Sequence, residues 1–184
     1  CRAGRHRRPD RGSPARIGAV MNGLIIRPYR PADAIPLATL FHRAVREGAA
    51  CAYDAEQREA WSPAPPTGEG WRTRVEEADT IVAERDGVLL GFMTLDIDSA
   101  YLDFAYVAPQ FMGQGVASAL YAVIEGRARV KGHKVMETEA SLLAEPFFRR
   151  QGWRVIKRQE IERGGVKIPN ARMEKRLVRR FAAA

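Results

Sequence analysis

The chain of 184 residues is 46% hydrophobic and 28% charged, and its formal net charge at pH 7 is +8. These values are ordinary for a globular protein of one domain with a sizeable core. They argue against a transmembrane protein, because no apolar run approaches about 18 residues. They also argue against a disulfide-stapled secreted domain, because the only cysteines are Cys1 and Cys51. We therefore expect a cytoplasmic protein that does not bind membranes.

Residues 1–20 differ in composition from the rest of the chain. They hold six arginines against one acidic residue, Asp10, and so carry +5 of the net charge. They show no hydrophobic periodicity and lack the apolar segment of a signal peptide. We predict a disordered or non-native extension over 1–20 and a single domain over 21–184. The arm alone could touch nucleic acid, but the domain has no basic stripe with interleaved aromatics, so nucleic-acid binding is not expected.

The first third of the domain predicts one strand followed by three helices. Apolar residues recur at helical spacing after the first strand, and Gly48 is expected to end the first helix. Asp54 is a candidate N-cap for the second helix. The predicted elements are a strand over 24–29 and helices over 31–46, 54–61 and 68–77.

From residue 80 onwards the pattern changes to the period of two that is typical of strands. Asp86-Gly87 indicates a type I′ hairpin turn between two of them. The predicted strands are 80–85, 88–96, 101–107, 134–139, 153–163 and 166–175, with helices over 116–131 and 141–151. This order predicts an α/β (α+β mixed-sheet) domain, in which a mixed, mostly antiparallel sheet of about seven strands has helices on both faces.

The junction between the strand 101–107 and the helix that begins at Val116 predicts a ligand site. Gly113 and Gly115 lack the Cβ atoms that would keep a ligand from the backbone. The unpaired amides of the following helix and the positive end of its dipole point to the same place, which suits a phosphate or pyrophosphate. A Gly-x-Gly pair alone also occurs in plain turns. Neither a Walker motif nor the dinucleotide-binding order of glycines is present.

These segments resemble the GNAT superfamily of acyl-CoA-dependent N-acyltransferases, over roughly residues 24–177. The stretch 112–117 occupies the register of the superfamily's pyrophosphate motif, after a strand ending Val-x-Pro, with Met112 in place of the usual Arg or Gln. Gln110 could supply that polar residue, but this alignment would shift the helix start. The stretch 140–153 resembles a second block, with Ser141 and Phe148 where the superfamily often has Asn and Tyr.

The resemblance implies a GNAT-like fold and an enzyme that moves the acetyl group of acetyl-CoA to a primary amine by direct attack in a ternary complex. The acceptor would be a small molecule or a protein, and a homodimer is compatible with the sequence. A non-catalytic acyl-CoA sensor of the same fold and a basic nucleic-acid module are the alternatives. The histidines lack metal-ligand spacing, so no metal is expected. The expected coenzyme-binding residues are Tyr106, Val107, Met112, Gly113, Gln114, Gly115, Val116, Ala117, Ser118, Ser141 and Phe148.

Such a reaction needs a base, because an alkyl amine of pKa about 10.4 is neutral in only about one molecule in 2,500 at pH 7, a penalty of about 4.6 kcal/mol. Asp103, inside an apolar strand, is the first candidate, although it could simply be solvated or hydrogen-bonded. Glu139 is the second. The resemblance implies that backbone amides around Tyr106 and Val107 polarise the thioester carbonyl. With Phe148 unable to act as an acid, Tyr106 and Tyr101 are candidates, although both could simply pack in the sheet, or no acid is needed.

The remaining expectations concern side chains whose roles are open between function and packing. Ser141 could bind the pantetheine arm or cap the helix that follows. Tyr53, Trp61 and Trp71 lie in the helical block that borders the acceptor in this superfamily. We expect them to line the acceptor pocket, or else to pack in the core, since aromatic side chains bury large areas.

Overall fold

The computed structural model describes residues 23–177, so the extension predicted over 1–20 lies outside the described residues. Within this range the strands are β1 (Ile25–Pro28), β2 (Asp79–Arg85), β3 (Val88–Asp96), β4 (Tyr101–Val107), β5 (Val135–Ser141), β6 (Arg154–Arg163) and β7 (Val166–Arg176). The α-helices are α1 (Ala34–Arg43), α2 (Ala55–Trp61), α3 (Gly68–Glu77), α4 (Val116–Lys131) and α5 (Glu145–Arg150). A π-helical turn, Ala44–Gly48, follows α1, and a short 3-10 helix, Pro109–Phe111, follows β4.

The strands form one sheet in the order β1-β2-β3-β4-β5-β7-β6. Every neighbouring pair is antiparallel except β4 and β5, which run parallel. Asp86 and Gly87 both have positive φ angles, of 51° and 78°, as the type I′ turn between β2 and β3 requires. The mixed, mostly antiparallel sheet predicted from the element order is confirmed.

Helices cover both faces of the sheet, because successive strand residues point to opposite sides. Ile81 of β2 packs in one core layer, together with Leu120 of α4 and Phe148 of α5. Val82, the next residue, packs on the other face with Trp71 of α3 and other residues of α1 and α3. None of the helices within residues 23–177 combines the length and apolar character needed to cross a membrane.

The predicted boundary between β5 and α5 is wrong. β5 continues to Ser141, which pairs with Asn170 of β7, and α5 begins only at Glu145. Pro146 explains the late start, because proline is tolerated in the first turn of a helix but not in its interior. Ser141 is therefore not a helix N-cap. Its hydroxyl accepts a hydrogen bond from the Ala144 amide at 3.1 Å, within the turn that precedes α5.

A part-buried polar network ties α4 to β7. Glu125 accepts hydrogen bonds from Lys175 and from Arg129. The Tyr121 hydroxyl lies 3.1 Å from Lys175 Nζ, and it accepts a hydrogen bond from Trp153 Nε1 at 2.8 Å. Burial opposes the charged carboxylate, but the hydrogen bonds from Lys175, Tyr121 and Arg129 outweigh it and lower the pKa of Glu125 to about 2.

Replacing Glu125 with glutamine is expected to flatten the dependence of stability on pH in acid. The unfolded chain binds the proton more tightly than the folded one, so the carboxylate stabilises the fold above pH 4.5 and loses this effect as the pH falls towards 2. The full contribution is at most about 3 kcal/mol. Urea unfolding of both proteins at pH 7, 4 and 3 measures it. A free-energy difference between them that does not shrink with falling pH would contradict this role.

Candidate active site

The site begins where two neighbouring strands separate. β4 and β5 pair through only two residue pairs, Tyr101 with Glu137 and Leu102 with Thr138. Beyond them the parallel strands diverge, so the edge of β4 that faces β5 is no longer covered by a strand. Backbone groups exposed in this way can hydrogen-bond a ligand instead of a neighbouring strand.

A β-bulge at Asp103 decides which backbone groups face this gap. Phe104 pairs with Thr94 of β3, but Leu102 pairs with Leu95, so β4 has one residue more than β3 here. The Ala108 amide donates to Leu90 O at 2.8 Å. Because inward and outward amides alternate in an antiparallel pair, the Tyr106 amide points to β3, whereas the amides of Ala105 and Val107 face the gap. The sequence analysis did not predict a role for the Ala105 amide, because the bulge that orients it has no recognisable pattern in the local sequence.

A first cavity of about 490 Å³ lies in the gap and extends to the start of α4. Of the predicted coenzyme residues only Gln114 does not line it, because its side-chain amide turns back to donate to Gln110 O at 2.9 Å. The predicted residues that line it are Tyr106, Val107, Met112, Gly113, Gly115, Val116, Ala117, Ser118, Ser141 and Phe148. The sequence analysis did not predict that the π-helical turn, Ala44–Gly48, would form part of the wall.

The end of this cavity at α4 is a cradle of backbone amides. Gly113 and Gly115 adopt left-handed conformations, with φ of 74° and 83°. The first hydrogen bond of α4 runs from the Ala119 amide to Gly115 O, and no side chain within residues 23–177 caps the helix. The three amides at 116–118 therefore point outwards without an acceptor. A Cβ atom placed on Gly113 would meet no atom within 4 Å, so the space in front of it is open.

One cation supplements the cradle. Arg150, at the end of α5, lines the same cavity, is exposed, and makes no ion pair in the described part of the chain. It is suited to bind a phosphate. The sequence analysis missed this residue, although it lies inside the second block of resemblance, because one arginine in a basic helix end has no distinguishing pattern.

A second cavity of about 400 Å³ lies on the other side of β4. It is lined by all three predicted acceptor residues, Tyr53, Trp61 and Trp71, and by both candidate bases. Trp61, Tyr106 and Ser141 line both cavities, so the two spaces meet at these side chains. A ligand in the first cavity and a ligand in the second could therefore make contact there.

Asp103 is held in a bidentate ion pair. Arg74 of α3 donates from Nε to one carboxylate oxygen at 2.9 Å and from Nη2 to the other at 2.8 Å. The guanidinium carbon lies 4.3 Å from the centre of the Phe104 ring. A proton on Asp103 would break this pair, so the geometry does not support the prediction of Asp103 as the first candidate base. The alternative, a hydrogen-bonded carboxylate, describes what is found.

Glu139 is placed differently. It is exposed to the second cavity and makes no ion pair in the residues described, and its Oε2 accepts only a long hydrogen bond of 3.5 Å from Asn170 Nδ2. Glu137, two residues earlier on β5, is instead paired with Arg172 at 2.9 Å and lines neither cavity. Of the two carboxylates that line the second cavity, Glu139 is therefore the one without an ion pair among the described residues.

Tyr106 lies at the junction of the cavities, with its ring edge-on to Phe41 at 4.8 Å between centroids. Burial, and then the nearby charge of Asp103, raise the pKa of its phenol above the ordinary value. The hydroxyl therefore stays protonated and is available to a ligand as a hydrogen-bond donor. Proton transfer to a thiolate, whose conjugate acid has a pKa of about 8.5, would run uphill.

Three of the predicted aromatic residues, Tyr53, Trp71 and Phe148, also contribute to the hydrogen bonding or packing of the fold. The Tyr53 hydroxyl donates to Pro169 O and accepts from the Leu142 amide, both at 2.8 Å. Trp71 Nε1 donates to Ala34 O at 2.7 Å. Phe148 is 1% exposed and brings no ionisable group. Tyr53 and Trp71 therefore offer the second cavity ring surface but no free polar atom.

Metal chemistry finds no support in this region. Within residues 23–177, no group of three or more histidine, cysteine, aspartate or glutamate side chains is placed to hold a metal ion. The site is thus built from backbone amides, aromatic rings and a few charged side chains.

Comparison with known proteins identifies a family. A model described as an acetyltransferase (GNAT) domain matches residues 49–177. The chain is 31% identical over 150 residues to the uncharacterized N-acetyltransferase YafP of Escherichia coli K12, which covers 82% of this chain and 94% of that protein. A GCN5-related N-acetyltransferase (aminotransferase, class II) from Rhodopseudomonas palustris superposes with a TM-score of 0.81 at 30% identity, over 87% of this chain and 99% of the other.

The chain also has the same fold as a structure to which it is less similar in sequence. The PaiA N-acetyltransferase from Thermoplasma acidophilum, solved in complex with coenzyme A, superposes with a TM-score of 0.62 at 18% identity. The match covers 84% of this chain and 99% of that protein.

Proposed function

The chain belongs to the GNAT family of acetyltransferases, and we propose that it moves the acetyl group of acetyl-CoA to the primary amine of a small molecule by direct attack in a ternary complex. The observation that carries this proposal is the meeting of two cavities at Trp61, Tyr106 and Ser141. The second cavity, of about 400 Å³, lies in the size range of small-molecule sites. A small acceptor therefore fits better than a folded protein.

The first cavity suits coenzyme A. The outward amides at 116–118 and the open space before Gly113 fit a pyrophosphate at a helix N-terminus. Arg150 fits a further phosphate, and the amides of Ala105 and Val107 fit the polar groups of the pantetheine arm and thioester. The Thermoplasma protein with the same fold carries coenzyme A, which is consistent with this assignment.

Acetyl-CoA supplies the thioester carbonyl that the amine attacks. Glu139 takes a proton of the amine, directly or through one water molecule, since it is the carboxylate lining the second cavity that makes no ion pair within residues 23–177. In this proposal the Val107 amide stabilises charge on the carbonyl oxygen, and one preorganised donor of this kind is worth about 3 kcal/mol. Tyr106, kept protonated by burial, donates a hydrogen bond at the same junction.

Free-thiol release tests the proposal. We expect acetyl-CoA to bind in calorimetry, and the thiol of coenzyme A to appear when a panel of small primary amines is added. A KM for acetyl-CoA between about 1 μM and 1 mM would be ordinary. Binding without thiol release from any amine would instead indicate a non-catalytic sensor, and no binding at all would refute the coenzyme site.

A further inference from the structure

The charges that line the second cavity do not all cancel. Its charged side chains are Arg74, Asp103, Glu139 and Arg163. The first two neutralise each other in the bidentate pair described above. Glu139 and Arg163 make no ion pair within residues 23–177. The cavity thus presents one unpaired carboxylate and one unpaired guanidinium to its occupant.

Arg163 is held on a fixed scaffold. It is the last residue of β6 and precedes the Gly164-Gly165 turn into β7. The β6–β7 hairpin is fastened at two points, where Tyr53 donates to Pro169 O at 2.8 Å and Gln57 Nε2 donates to Lys167 O at 3.1 Å. The positive charge of Arg163 also acts on the Tyr106 side chain. It lowers the pKa of the phenol, although burial has the larger effect and raises it.

Glu139 stands on a different strand, β5, with Asn170 Nδ2 beside its carboxylate. The second cavity also offers apolar surface, supplied by Phe41, Trp61 and Ile161 together with the ring of Tyr106. Glu139 and Arg163 are both exposed, so each can form a charge-assisted hydrogen bond with a ligand group of opposite sign. A plain amine would satisfy Glu139 alone and leave Arg163 unpaired.

We propose that the acceptor is a zwitterion, a small amino acid with an apolar or aromatic body. Its ammonium group binds Glu139, its carboxylate binds Arg163, and its body packs on the aromatic wall of the second cavity. This inference rests on the proposed acetyltransferase function. The ammonium loses one proton through Glu139 to solvent, the nitrogen bonds to the acetyl carbon and gives its second proton to Glu139, the carbon–sulfur bond breaks, and the thiolate leaves and takes a proton from solvent. The carboxylate of the acceptor stays unchanged.

The test compares amines that differ only by a carboxylate. The pairs are phenylalanine with phenethylamine, leucine with isoamylamine, and γ-aminobutyrate with propylamine. In the wild-type protein, kcat/KM for thiol release is expected to be about 10- to 100-fold higher for the amino acid of at least one pair, the effect of one charge-assisted hydrogen-bonded contact. The pair with the largest ratio reports the separation between the two charges.

Arg163→Met is expected to remove that ratio by lowering kcat/KM for the amino acid towards the value for its plain amine. Lys157→Met is the matched control, because it removes one positive charge from the same strand but lines neither cavity. The ratio should persist in this control. Calorimetry with acetyl-CoA shows that each variant is folded and still binds the coenzyme.

The outcomes separate the two proposals. Thiol release in which no amino acid exceeds its plain amine, or in which Arg163→Met leaves the ratio intact, overturns the zwitterion and leaves the acetyltransferase standing. Absence of thiol release from every amine, with acetyl-CoA bound or not, overturns both. A ratio lost equally in Lys157→Met would show a general charge effect and would also overturn the role of Arg163.

Discussion

Gly113→Val is expected to weaken acetyl-CoA binding strongly while the domain stays folded. The backbone of Gly113 has a φ of 74°, the residue lines the first cavity, and a Cβ built on it meets no atom within 4 Å. A valine would both strain the turn and fill the place of the pyrophosphate. Losing two charge-assisted hydrogen bonds of about 1.5–3 kcal/mol each reduces the affinity by roughly 100-fold or more. Calorimetry with acetyl-CoA measures the loss.

Gly132→Val is the matched control for that experiment. Gly132 ends the same helix, has a φ of 92°, and also has no atom within 4 Å of a built Cβ. Both variants carry a backbone strain of about 1–3 kcal/mol, so their thermal stabilities should fall by similar amounts. Only the change at Gly113 should affect the coenzyme. Retained affinity in Gly113→Val, or equal losses in both variants, would refute the cradle.

Glu139→Gln is expected to lower kcat by about 100- to 10,000-fold, the usual effect of removing a general base. Glutamine keeps the size of the side chain and can still contact Asn170, but it cannot accept the proton of the amine. The affinity for acetyl-CoA should be unchanged, because Glu139 does not line the first cavity.

Two further variants test whether the loss of kcat is specific to Glu139. Glu137→Gln removes a carboxylate from the same strand outside both cavities, and should leave kcat within about twofold of the wild-type value. Asp103→Asn should weaken the hold on Arg74 and reduce the rate less than Glu139→Gln does. If Asp103→Asn were the more damaging change, the base would be Asp103 as the sequence analysis first suggested, and Arg74 would have to move on substrate binding.

Features that depend on a few neighbouring residues were predictable. The hairpin at Asp86-Gly87, the limits of α4 and the glycine turn before it follow from residues that tolerate positive φ angles and from apolar periodicity. The start of α5 could have been placed correctly as well, since Pro146 belongs in the first turn of a helix. These signals are local, so a single sequence contains them.

The ion pairs and the placement of charges in the second cavity could not be predicted from such local signals. Asp103 is 29 residues from Arg74, and the sequence alone does not show that the two are paired. The same holds for the bulge in β4, which turns the Ala105 amide to the gap, and for Arg163, which only the β6–β7 hairpin brings beside Tyr106 and Glu139.

The sequence by itself determined the family resemblance, the sheet and the glycine turn at the start of α4, because these follow from backbone propensities and side-chain periodicity along the chain. Only the tertiary structure decided which carboxylate is free, which cation is unpaired and where the two cavities meet. These properties depend on contacts between segments that are distant in the sequence. A charged side chain can pair with a ligand only if another segment of the chain does not already pair with it.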